Sequence, residues 1–257
     1  AAAIADNAWL LNLGPASMEG DVSPTAKSTL KVTKFNYTQI FKEPVHITKT
    51  GENAKLYGGN ERMRQRKKAG AVHARNIEQA FLHGEKAIDL SGAHPVRSMG
   101  GLDEHITTNV FAVGGALTKA AFDAWLGDVF RFGVKGMRKS KILYASNEIC
   151  AAISGWAGAQ LITNSKASAT YGIRVTTYIS PHGDLHIINH PLLEHGYAGT
   201  GYVVDIDGVY YRPFRRTVME TNIQAPGEDA FKDQWITEAT ASFALEKAFG
   251  KLTGVTG

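Results

Sequence analysis

Cysteine occurs once in the 257 residues, at Cys150, so the chain closes no disulfide on itself and offers no thiolate pair to a zinc site. Stability must come from packing or from neighbouring subunits, and an intracellular folding compartment is expected. No apolar run approaches the roughly 20 residues that cross a bilayer, and Ala1 to Leu13 lacks the basic flank of a signal peptide. Membrane insertion and secretion are therefore not expected. The first residue is Ala, which is read as removal of an initiator Met, or as cleavage or omission of a longer N-terminal piece. Catalytic signatures are also scarce. There is no Gly-x-Ser-x-Gly, and Cys150 falls in an apolar helical stretch that suits core filling. Gly199-Thr200-Gly201 lacks the following Gly and leads into a strand where a dinucleotide site needs a helix. Neither an internal repeat nor a low-complexity tract is present.

What the chain does contain is an ordinary globular mixture, 44% hydrophobic and 20% charged, long enough for one elaborate domain or two modest ones. Lys+Arg 28 against Asp+Glu 24 leaves a net charge of +4, compatible with a polyanion nearby without requiring one. Ala1 to about Ala26 is rich in Ala, Gly, Ser and Pro, with one apolar patch at Trp9, Leu10, Leu11 and Leu13. It reads as an arm ordered where that patch docks, or else as a first core segment. From Thr29 to Thr50, Leu30 and Val32, then Phe35 and Tyr37, then Val45 and Ile47 alternate with polar residues. Period two means strands, the phase shift a bulge, and Pro44 an edge or exposed ribbon, so a projecting hairpin is expected.

Asn60 is placed to cap a helix from Glu61 to about His83, the longest in the chain. Arg62, Arg64, Arg66, Lys67, Lys68 and Arg75 crowd its first part. Cations there oppose the helix dipole, so they are either simply solvated or meet a partner surface or polyanion. Further on, the spacing predicts a helix over Leu117 to Phe132 and a buried strand from Ile142 to Ala145. A helix capped at Asn147 follows, then short strands between Tyr171 and Arg212 with Asp207-Gly208 as a hairpin turn. Trp235 to Leu252 fits neither period cleanly. The cluster His182, His186, His190, Glu194 and His195 has metal-ligand chemistry, but Gly183, Asp184 and Pro191 prevent the single helix face that four-residue spacing needs. Loop and surface histidines are the better reading.

Taken together, Asn36-Tyr37-Thr38-Gln39-Ile40-Phe41, Val45 to Thr50, and the basic-to-apolar helix ending Ala74-Arg75-Asn76-Ile77-Glu78-Gln79-Ala80-Phe81-Leu82 resemble tailed-phage major capsid proteins, the family with the Hong Kong 97 fold. The likeness continues through Gly100-Gly101-Leu102, Thr108-Asn109, Ser146-Asn147, Tyr211-Arg212-Pro213-Phe214-Arg215 and Glu246-Lys247-Ala248-Phe249-Gly250. It implies an α+β capsid fold with an N-terminal arm (1–27) and an extended β-hairpin loop (28–57). A peripheral domain (58–114) would carry the spine helix 61–83, followed by an axial domain (115–212) and a return to the peripheral domain (213–257), with the ambiguous segment as a long strand.

The resemblance also implies a structural, non-enzymatic subunit without cofactor or metal. It would assemble in the host cytoplasm as hexamers and pentamers into an icosahedral virion shell around double-stranded DNA, with portal, scaffold or decoration proteins as further partners and no membrane. Expected inter-subunit contacts are Trp9, Leu10, Gln39, Ile40, Phe41, Lys42, Arg62, Arg64 and Arg66. Covalent cross-linking, known in one branch of the fold, would draw on Lys42, Lys49 or Lys55, lysines that a projecting ribbon needs for solubility anyway. The alternatives are a same-fold cellular compartment enclosing protein cargo and a metal-dependent enzyme using His182 to His195.

Overall fold

In the computed structural model, the described residues are 16, 18–20, 22–23, 25–26, 28, 32–54, 59–136, 140–158 and 177–256. They fall into two units, Ala1–Phe35 and Asn36–Gly257. The described residues of the first unit contain neither helix nor strand, and Trp9 and Leu10 lie outside them. The second unit begins with strand β1 (Gln39–Thr48) and a one-turn helix α1 (Lys49–Asn53), followed by the long helix α2 (Glu61–His83). A small hairpin, β2 (Ala87–Asp89) and β3 (Val96–Ser98), precedes α3 (Leu102–His105), β4 (Val110–Gly115) and α4 (Lys119–Phe130). Next come β5 (Ser140–Ala145), α5 (Asn147–Gly158), β6 (Thr177–Ser180), β7 (Gly183–Asn189) and β8 (Gly201–Val204). The chain closes with β9 (Val209–Glu220), β10 (Ala230–Phe243) and β11 (Gly250–Val255).

Two sheets organise this unit. The first has the order β1-β10-β9 and is antiparallel throughout, and the second has the mixed order β4-β11-β8-β5-β7-β6. Helices α4 and α5 cover one face of the six-stranded sheet, where Phe122, Leu126, Val129, Ile149 and Ile153 meet Leu143, Leu185, Val203 and Leu252. On the opposite face Tyr202 and Val204 pack with Leu82 from the end of α2, with Leu102 and Ile106, and with Phe249. Strand alternation explains how β8, buried at every position, serves both cores at once. Each fully buried side chain of this size contributes about 1.5–3 kcal/mol.

The long helix has the bounds its sequence predicts. The Asn60 side chain accepts a hydrogen bond from Met63 N at 2.8 Å, and the helix stops at Gly84, whose N–H bonds Ala80 O at 2.9 Å. A Cβ on Gly84 would collide with the carbonyls of Ala80 and Met99, so no larger residue fits this exit.

Two expectations need correction. Among its described residues the segment 28–57 does not pair with itself: β1 pairs along its whole length with β10, from Gln39↔Ala239 to Thr48↔Ala230, and residues 32–38 form no strand. A two-stranded ribbon is marginal alone, and the third strand that supports β1 comes from the other end of the chain, which local periodicity cannot reveal. Pro44 is accommodated because β1 is an edge strand. Second, Asp207-Gly208 is not a hairpin turn. Asp205 is wholly buried and accepts from Val134 N and Asp207 N, setting a 3₁₀ turn at Ile206–Gly208 that sends β8 and β9 into different sheets. Strand β11 inserts between β4 and β8 in the second sheet, parallel to β4 and antiparallel to β8.

Candidate functional site

Helix α2 lies against one face of the three-stranded sheet, and its basic first turns are tied to that sheet by a buried carboxylate. Asp233 on β10 is 1% exposed and accepts from Arg62 (Nη2 2.7 Å, Nε 2.9 Å), from Arg66 Nε (2.9 Å) and from Asn222 N (3.0 Å). Burial alone would raise its pKa, but the donors from Arg62 and Arg66 outweigh that and hold the carboxyl far below the usual range. Arg62 also stacks over the Phe231 ring at 4.2 Å, and Trp235 Nε1 donates to Arg66 O at 3.0 Å. Arg62 and Arg66 are thus engaged within the chain, their two positive charges sharing the one carboxylate of Asp233. Arg64 turns outward and pairs with Glu61 at 2.5 Å.

One helical stretch further on, His73 is 3% exposed and its Nε2 lies 2.7 Å from Thr237 Oγ1, which in turn donates to Thr217 Oγ1 at 2.8 Å. Phe41 meets the His73 ring edge-on, with centroids 6.4 Å apart. Phe41 is 7% exposed and therefore belongs to the chain's own core. The reason is the pleat. Phe41 and Val45 point to α2, so Ile40 and Lys42 point away. Gln39 is also committed internally, since its Oε1 accepts from Met99 N at 3.1 Å.

The sheet face away from α2 has no covering element among the described residues. Ile40 is 51% exposed there and Lys42 is exposed, while on β9 Tyr210 and Val218 stand in solvent. Tyr211 rests against Phe81 of α2 with centroids 5.8 Å apart, which turns its neighbours Tyr210 and Arg212 to the open face, where the Arg212 guanidinium lies 5.1 Å over the Tyr210 ring. Phe214, 75% exposed, adds to this strand. The sequence marked Tyr211 to Arg215 only as a motif. Period two could have flagged the strand, but not which face stays bare. Between β1 and the C-terminal half of α2 a groove of about 480 Å³ opens, lined by Gln39, His73, Asn76, Gln79, His83 and Tyr197.

The histidine segment is dispersed. His182 packs over Gly127, His186 faces Thr177 across the β6–β7 hairpin at 3.2 Å, and His190 pairs with Glu78 of α2 at 3.0 Å. Glu194 accepts from Asn147 N at 3.1 Å at the start of α5. These side chains serve four separate contacts and converge on no shared point. Of the lysines considered for cross-linking, Lys49 pairs with Asp229 at 3.2 Å, and Lys55 lies outside the described residues.

Where the chain passes between sheets, Lys141 of β5 is the pin. It is 1% exposed and its Nζ donates to Val129 O (2.7 Å), Phe132 O (2.9 Å) and Ala248 O (2.6 Å), joining the end of α4 to the link between β10 and β11. Burial pushes its pKa down to about 8, partly offset by the buried Asp205. Nearby, Tyr202 Oη and Lys251 Nζ both donate to Asp103 at 2.6 Å, and His83 stacks on Tyr197 with centroids 3.5 Å apart.

Comparison with known proteins places this architecture. A family model described as "SU10 major capsid protein" matches residues 12–256. The major capsid protein of Pseudomonas phage PaMx41 is 26% identical over 245 residues, covering 89% of this chain and 58% of the relative, so the chain spans under two thirds of that protein's length. The capsid asymmetric unit of cyanophage A-1(L) superposes with a TM-score of 0.60 at 12% identity, covering 85% of this chain and 78% of that one. The SrpI encapsulin of Synechococcus elongatus PCC 7942 superposes with a TM-score of 0.58 at 10% identity, covering 85% and 74%. At these identities the two superpositions speak to fold alone.

Proposed function

The chain belongs to the SU10 major capsid protein family, structural virion subunits rather than enzymes, and has the Hong Kong 97 fold; from that premise we propose that it assembles as hexamers and pentamers into an icosahedral shell enclosing double-stranded DNA. The observation that carries this reading is the three-stranded sheet, covered by α2 on one side and, among the described residues, uncovered on the other, where Ile40, Tyr210 and Val218 face solvent. Apolar area buried there is worth about 25 cal/mol per Å², and repetition over several sides of each subunit offsets the cost of ordering and association. In this reading Ile40 and Lys42 meet a neighbour, the arm 1–27 and the segment before β1 reach across to it, and the six-stranded sheet forms the axial part of each capsomer. Portal, scaffold or decoration proteins would complete the particle.

Electron microscopy of the expressed protein tests this. Closed shells or capsomers support it, and a monodisperse monomer under all assembly conditions sinks it. The fold shared with the SrpI encapsulin keeps a second reading in view, a compartment around protein cargo. Nuclease-protected DNA in purified particles favours the phage shell, and co-purifying protein without DNA favours the compartment.

A further inference from the structure

Removing Arg62 and Arg66 from the set of free cations on α2 leaves a different group on its outer side. Arg64, Lys67, Lys68, Ala71, Ala74 and Arg75 are all exposed, and at 100° per residue they share the face opposite the buried Ala69 and His73. Arg64 is met by Glu61, and the exposed Glu78 is met by His190. Among the described residues no carboxylate lies within ion-pair distance of Lys67, Lys68 or Arg75. Three cations therefore accumulate along about 12 Å of helix without a direct ion pair, Lys68 alone feeling the more distant charge of Glu61, and the short side chains of Ala71 and Ala74 lie between them. Short side chains between long cations let a broad polyanion approach the helix closely. Duplex DNA carries a phosphate charge about every 1.7 Å of axis, so a stretch of that length presents more than enough phosphates for all three.

We infer that the outer face of α2 is a sequence-independent contact for the phosphate backbone of double-stranded DNA, made by Lys67, Lys68 and Arg75. The inference rests on the shell reading and deepens it, because it turns this face of α2 toward the interior. No base readout is involved. Lysine and arginine side chains projecting from one helix reach phosphates, and nothing beside them on this face offers a donor–acceptor pattern for base edges.

The test is binding of a fluorescently labelled short duplex to the purified chain across a salt series. The triple variant Lys67→Gln, Lys68→Gln, Arg75→Gln keeps good helix formers at all three positions. Its control is Arg97→Gln, Arg131→Gln, Arg216→Gln, which removes the same charge from exposed residues elsewhere. The α2 variant is expected to lose at least about tenfold in affinity at low salt and to flatten the log–log salt slope by about 2 to 3, while the control stays close to the parent. Equal losses in both variants, or none in the α2 variant, overturn the inference. So does an α2 variant that binds DNA normally but no longer assembles, because the face would then be a subunit contact. Microscopy of the parent preparation separates the two levels: absence of shells contradicts the shell reading whatever the DNA slope.

Discussion

Arg62 of α2 grips Asp233 of β10 with two prongs, Nη2 to Oδ1 at 2.7 Å and Nε to Oδ2 at 2.9 Å, across 171 residues of sequence. With Arg66 on the same carboxylate, this is the electrostatic anchor between the long helix and its sheet. Asp233→Ala leaves two guanidinium groups facing an apolar gap and is expected to lower subunit stability by about 3 kcal/mol in urea unfolding. The pH dependence follows from the depressed carboxyl: the folded pKa lies below the unfolded value of about 3.9, so the contribution is complete above that pH and lost as pH falls further. The variant's deficit should therefore be constant from neutral pH to about pH 5 and narrow only below about pH 4. A deficit that already shrinks near neutrality contradicts the anchor.

Adjacent residues on β1 should separate folding from assembly. Phe41→Asp puts a charge into the contact with His73 and is expected to unfold the subunit body, seen as loss of a cooperative thermal transition. Ile40→Asp changes a residue that is half exposed and should leave that transition within about 2–4 °C while abolishing particles in size-exclusion chromatography. Particles of normal size from Ile40→Asp would remove the open face from the assembly account.

Lys141→Met keeps the volume but deprives Val129 O, Phe132 O and Ala248 O of their shared donor. A loss of about 2–4 kcal/mol is expected, with faster amide exchange at the end of α4 and around residue 248. Parent-like exchange at both places would mean that the pin is dispensable.

His73 and His83 are both held below the ordinary histidine range by burial. The unfolded chain binds protons at these sites from about pH 6.5 downward, and the folded chain does so only at lower pH, so stability should fall as pH drops through that region. Unfolding measured in urea between about pH 7 and pH 5 should show this decline, and His73→Gln should reduce it. A flat profile, or a rise toward pH 5, contradicts the burial of these rings.

Local signals were legible and distant ones were not. The bounds of α2 follow from Asn60 and the apolar spacing, and the burial alternation of β5 matches its sequence. The partner of β1, by contrast, lies some 190 positions away and β11 changes sheets, and both depend on which surfaces meet after the chain folds back. The same limit explains the site. Period two separates Ile40 from Phe41 but does not say which faces the helix. A row of arginines on α2 looks uniform until Asp233 claims two of them. The histidine segment gave the opposite lesson, for its spacing argued against a shared centre, and its described side chains do go to separate partners.

The most direct test of the central claim is a cryo-electron microscopy reconstruction of particles formed by this chain. The account requires an icosahedral shell in which a second copy covers the open face of the three-stranded sheet at Ile40, Lys42 and Val218. Particles in which that face stays bare to solvent, or a chain that forms no particle at all, would contradict it.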